Sequence, residues 1–145
     1  SAESIRAKDE RPMINTIMNA VQAMVQQMVS MPVVVGSMPP DEGYAVGYAG
    51  GSPSETFRSL NANYTMPIVF NGKSADQQKL VEEMDRVHLA LTTSKVLPFS
   101  DDWQIYAITT SAAPQLLGRE ENQNWIYGSS FRVLFYMRGV KTNAG

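Results

Sequence analysis

The chain has 145 residues, of which 43% are apolar and 18% charged, enough for one domain with a real core and too apolar for wholesale disorder. Twelve basic residues against fourteen acidic ones give a net charge of −2, which argues against a protein whose main task is gripping nucleic acid. Cysteine is absent, so disulfides, zinc–thiolate sites, iron–sulfur clusters and cysteine nucleophiles are excluded.

Ser1–Pro12 carries Arg6, Lys8, Asp9, Glu10 and Arg11 with little to bury, and is expected to be a flexible arm. Met13–Ser30 reads as a helix, because Ile14, Ile17, Met18, Val21, Met24, Val25 and Met28 recur at three- and four-residue steps and Pro32 then closes it. The amides and hydroxyls interrupting Met13–Val35 speak against a membrane span. Val33–Val35 is a short strand ended by Gly36, and Met38–Gly43 has the composition of a turn. Tyr44–Ala49 reads as a strand and Gly50–Asn63 as a long loop.

Tyr64–Phe70 is the next strand, expected at an edge or with a bulge because Pro67 has no N–H. Asn71-Gly72-Lys73 is expected to turn the chain, with Ser74 opening a second helix at capping-box distance from Gln77. Leu80, Met84, Val87 and Leu91 form its buried stripe, with Glu82, Glu83, Asp85 and Arg86 mostly outward. Trp103–Thr110 is a strand, Ser111–Asn124 a long polar connection, and Trp125–Arg138 the longest strand. In that last strand Trp125, Tyr127, Phe131, Val133, Phe135 and Met137 share the core-facing parity. Gly139–Gly145 is a polar tail. The result is an α+β domain over residues 13–138 in the order α-β-β-β-α-β-β, with a mixed, mostly antiparallel sheet of about five strands and both helices on one face.

No chemistry stands out from these residues. Gly72-Lys73-Ser74 imitates a phosphate-binding loop, but Pro67 occupies the position where that loop needs a further glycine. His88, the single histidine, lacks a triad signature and reads as a capping or partly buried structural residue. The pairs Glu82-Glu83, Asp101-Asp102 and Glu120-Glu121 read as solvated faces, since adjacent carboxylates point apart. No catalytic, metal or cofactor site is expected.

Three stretches carry a resemblance. They are the N-terminal helix running into Gly36-Ser37-Met38-Pro39-Pro40; the run Pro67–Gln77 leading to Met84-Asp85-Arg86-Val87-His88; and Trp103-Gln104-Ile105-Tyr106 followed by Leu117-Gly118-Arg119-Glu120-Glu121-Asn122, Trp125-Ile126-Tyr127-Gly128-Ser129 and the aromatic strand to Arg138. Together they resemble the tail-terminator proteins of long-tailed bacteriophages, often labelled minor capsid proteins. The resemblance implies a non-enzymatic virion protein, made in the bacterial cytoplasm and placed at the head–tail junction. It implies a ring, usually of six copies, that stops tail-tube growth and receives the head connector. Implied partners are further copies of the chain, the tube protein and the connector or stopper; DNA passes through the lumen without specific binding, and no membrane is involved.

A ring needs two unlike surfaces on each subunit, and the two long loops are the expected suppliers. Phe57 and Arg58 in the first, and Arg119, Glu120 and Glu121 in the second, are the expected contact residues. Two other readings stay open: a different head–tail joining piece, such as a stopper or adaptor, and a small nucleotide-binding module using Gly72-Lys73-Ser74.

Overall fold

The structure, a computed structural model, describes residues 2–49, 57–58 and 63–137, with side chains for 14–49 and 63–137. Its elements are α1 (Ala2–Gln26), β1 (Val33–Val35), β2 (Gly43–Tyr48), β3 (Phe57–Arg58), β4 (Asn63–Ser74), α2 (Gln77–Thr93), β5 (Trp103–Arg119) and β6 (Trp125–Met137). The sheet runs β1-β2-β4-β6-β5, with β3 paired to β4 off that path. Only β1 and β2 are parallel; the other pairs are antiparallel.

Both helices cover one face. Ile17, Val21 and Val25 of α1 join Leu80, Met84, Val87 and Leu91 of α2 over Met66, Ile68, Phe70, Phe131, Val133 and Phe135 in one buried cluster. This is the stripe and the strand parity that the sequence periods predict, and the class is α+β. The chain enters β2 tightly: a Cβ on Gly43 would lie 2.9 Å from the Pro32 carbonyl oxygen and 2.9 Å from Pro39 Cγ. Only glycine permits that approach.

Several boundaries differ from expectation. Helix α1 starts at Ala2, so the segment read as an arm has helical backbone. Ala2, Glu3, Arg6, Ala7, Lys8, Glu10 and Arg11 are good helix formers, which favours helical backbone there. The helix ends at Gln26, and i→i−3 bonds from the Gln27 and Met28 N–H groups (3.2 and 2.9 Å) tighten its last turn.

Strand β4 runs straight through the expected turn at Asn71-Gly72-Lys73, and Asp76, not Ser74, caps α2 by accepting from the Lys79 N–H at 3.1 Å. Pro67 is not on an edge, because β4 lies between β2 and β6. Its carbonyl accepts from the Ala49 N–H at 2.9 Å, so its missing N–H also faces the β2 side, one position beyond the last β2 partner, Ile68. The proline therefore sits where that ladder stops and costs no bond to β6.

Strand β5 continues through Ser111–Arg119, leaving Glu120–Asn124 as a short hairpin turn in place of the long connection. Its outer half lacks alternation because it is exposed on both sides. Pairing slips at several bulges, and Pro114 lies within one of them on this edge strand. Glu83, expected outward, is buried. His88 is buried rather than capping. Its ring stacks 3.9 Å from the Phe131 ring, and its Nδ1 lies 2.7 Å from Thr110 Oγ1. Of the expected loop Gly50–Asn63, Phe57 and Arg58 form β3 against Tyr64 and Thr65. Asn63 begins β4, and the rest of the loop, like the tail Gly139–Gly145, lies outside the described residues.

Candidate assembly surface

Among the described residues no helix packs on the second face of the sheet, where Val69, Asn71, Ser130, Arg132 and Leu134 of β4 and β6 are partly or fully exposed, while Lys73 and Gly128 of the same parity are buried. An open groove of about 300 Å³ crosses it between Val69, Asn71, Ala112, Gln115 and Leu117. Gly128 forms the floor, where an added Cβ would lie 2.6 Å from Leu117 Cδ1. Edge strand β5 borders this face along its whole length.

The β5–β6 hairpin tip holds three of the expected contact residues and gives them different tasks. Arg119 is exposed and stacks its guanidinium 4.3 Å from the centroid of Trp125, its cross-strand partner. Glu120 is committed inside the subunit. Its carboxylate pairs with Lys73 at 3.2 Å, and its backbone closes the turn by donating to the Asn124 carbonyl at 2.8 Å and accepting from the Gln123 N–H at 2.9 Å. Gln123 carries φ of 78°, the left-handed residue of this turn. Glu121 is exposed. Phe57 and Arg58 lie on β3, on the other side of β4 from the hairpin, and their side chains fall outside the description.

Exposed apolar side chains absent from the expectation include Val35, Tyr106 and two groups along the chain. Leu116 (51% exposed) and Leu117 (57%) flank the hairpin tip. Leu89 (66%), Val96 (82%) and Phe99 (63%) sit in the last part of α2 and the connection to β5. The Leu-Leu dipeptide was a usable signal: an apolar pair inside a polar stretch cannot be buried on both sides of an edge strand.

Side-chain hydrogen bonds, some buried and some at the surface, fix the frame. The Tyr44 hydroxyl donates to Glu83 Oε1 at 2.6 Å and the Ser30 hydroxyl to Glu83 Oε2 at 2.8 Å. Burial, and then the carboxylate it donates to, hold the Tyr44 hydroxyl well above the usual tyrosine range. The Glu42 carboxylate accepts from the Ala75 N–H at 2.7 Å and the Ser74 hydroxyl at 2.9 Å, and these two bonds hold it below the usual carboxylate range. That contact ties the start of α2 to the turn before β2.

Gly72-Lys73-Ser74 has the wrong geometry for a phosphate loop. The three residues lie in β4, Gly72 and Lys73 paired to both β2 and β6 and Ser74 to β6, with the Lys73 ammonium buried against Glu120. Among the described residues no group of three His, Cys, Asp or Glu side chains is close enough to hold a metal ion. Nor is any described helix long and apolar enough to cross a membrane.

A family described as bacteriophage tail terminator protein matches residues 14–136. Among solved structures, the chain is similar to one from the virion of a native gene transfer agent particle, with a TM-score of 0.51, 15% identity, and coverage of 81% of this chain and 85% of that one. At that identity the likeness is one of fold. Among curated proteins no relative matches the sequence.

Proposed function

The chain belongs to the bacteriophage tail terminator family, a structural component of the virion tail, and from that membership we propose that copies of it close into a ring, of six subunits, on the end of the tail tube. The ring stops tube polymerisation and offers its far side to the head connector. The protein acts by shape and catalyses nothing. DNA crosses the lumen without specific binding, in keeping with the net charge of −2. Phe57, Arg58, Arg119 and Glu121 contribute to contacts between subunits or with the tube, while Glu120 contributes indirectly by holding the hairpin turn.

The observation that carries this reading is the exposed edge of β5. Beyond the Phe99–Gln104 bridge and the Ile105 N–H bond to the Pro98 carbonyl, this edge strand lies beside a face on which no described helix packs, a surface that other copies or partners can cover. Its bulges and Pro114 interrupt continuous strand addition, so contacts form through side chains.

The test is electron microscopy of tails assembled with and without the protein. The expected result is a ring density on the tube end when it is present and tubes of uncontrolled length when it is absent. Tails of normal length without it, or a single subunit at the junction, would overturn the proposal. Binding to the portal side but not to isolated tubes would favour a stopper or adaptor.

A further inference from the structure

Resting on the ring reading, we infer that the outer face of α1 and the β1 edge of one copy pack against the β5 edge of the next. The two longest stretches of the sequence without a charged residue are Pro12–Pro40 and Trp103–Gly118. The first holds α1 from Pro12 onward together with β1, and the second is all of β5 but Arg119. The fold sends them to opposite edges of one sheet. Helix α2 shows how a solvated helix of this molecule is built: Lys79, Glu82, Asp85 and Arg86 are all exposed on it. On α1, over the same sheet face, the exposed side chains are Asn15, Thr16, Asn19, Ala23 and Gln27. On β5 they include Tyr106, Ser111, Ala113 and Leu116. Solubility favours charge on a free surface, whereas the core of an interface is depleted of it, because a charge buried without a partner is costly.

Neither flank is shaped for a continuous strand ladder. Two glutamines of α1 close the backbone of Val33: Gln26 Oε1 accepts from its N–H at 2.8 Å, and Gln22 Nε2 donates to its carbonyl at 2.8 Å. Val35, at the end of the same strand, is 45% exposed. On β5 the bulges and Pro114 break the edge, so side chains make the contact on both flanks. Formal charge stands at the ends of the neutral stretch, at Asp101-Asp102 and Arg119, and one strand inward at Arg132 of β6. The occupant is a second copy. A neutral flank leaves no charge buried and unpaired when it meets another neutral flank, and each chain carries two of them. They differ in shape, one a helix face beside a short strand and the other a long strand edge. Unlike patches at opposite edges are what a closed ring requires. A symmetric contact of α1 with α1 stops at two subunits and leaves β5 uncovered.

The test places one charge on each flank of the full chain. Ala23→Glu marks α1 and Ala113→Glu marks β5; both sites are exposed, so both variants should melt as the natural chain does. Gln27→Lys and Leu116→Lys repeat the two insertions with the opposite sign. Lys79→Glu changes more charge than any of them but lies on α2, and is the control. Each protein is added to tail tubes assembled without it, and rings are counted by electron microscopy. Ring yield should fall by about tenfold or more with a charge of either sign on either flank, and stay unchanged in Lys79→Glu. Rings at the natural yield in the flank variants would place the contact elsewhere and leave the ring reading standing. Loss confined to one flank would show a contact that uses that flank twice, and an equal loss in Lys79→Glu would show an effect of net charge; either would overturn the inference. Tubes that bear no ring even with the natural chain would overturn the ring reading, and the contact with it.

Discussion

The Tyr44 hydroxyl lies 2.6 Å from Glu83 Oε1, joining β2 to α2 through the core with neither residue more than 6% exposed. The carboxylate takes a second bond from Ser30, so both of its oxygens are satisfied by donors. Removing either partner leaves a buried polar group without its bond. Tyr44→Phe should cost about 1–3 kcal/mol and Glu83→Ala about 2–4 kcal/mol. Urea unfolding of the two single variants and the double variant should show a coupling of about 1–3 kcal/mol. Additive losses would mean that the bond contributes nothing of its own.

His88 predicts an acid-side loss of stability. Burial between α2 and the sheet lowers its pKa to about 4 from an ordinary 6.5, only partly opposed by Asp85. Its Nε2 is buried and lacks a hydrogen-bond partner, so a proton there would gain little. The unfolded chain takes up that proton near pH 6.5 while the folded one resists it until about pH 4. Stability is therefore full above pH 6.5 and falls as the pH drops through that window, by about 3 kcal/mol in all. His88→Phe keeps a ring against Phe131 and removes this share of the slope. Parallel pH–stability curves for the two proteins would contradict the assignment.

Gly72 and Gly118 predict opposite outcomes for one substitution. A Cβ on Gly72 would lie 2.6 Å from Tyr44 Cδ1 and 2.8 Å from Leu80 Cδ1, both on fully buried side chains. Gly72→Ala should cost about 1–3 kcal/mol through overpacking. At Gly118 nothing lies within 4 Å of the same atom, and Gly118→Ala should change stability by less than about 0.5 kcal/mol or raise it slightly. Thermal melts of the two variants check both figures.

Gly72 also shows how far the sequence could be read. Asn71-Gly72-Lys73 has turn composition, and on local chemistry a turn is the correct reading. What overrides it is long-range: Tyr44 and Leu80 need the space that a glycine leaves inside a strand. Where burial follows a period, as in α2 and in Phe131–Phe135, the pattern was legible. Glu83 broke the outward rule because Tyr44 and Ser30, distant in sequence, supply its donors. The outer half of β5 was hidden for the opposite reason. It is exposed on both sides, so no alternation marks it, and only pairing with β6 makes it a strand. Of the contact residues expected at the tip, Arg119 and Glu121 are exposed, with Arg119 stacked on Trp125 and its Nε donating to the Gln123 carbonyl at 3.4 Å, while Glu120 is turned inward by a lysine that no local signal pairs with it.

That lysine gives the last prediction. Lys73 is 5% exposed, and its ammonium meets Glu120 at 3.2 Å. A buried charge that loses its partner is costly, whereas removing both charges together is nearly neutral when the shape is kept. Glu120→Gln should therefore cost about 1–3 kcal/mol, and Lys73→Met with Glu120→Gln should recover most of it. The same arrangement argues against nucleotide binding, since the lysine that would reach a phosphate is already engaged within a strand. Millimolar nucleotide should leave the melting temperature of the natural chain unchanged, and a stabilisation lost in Lys73→Ala would reopen that reading.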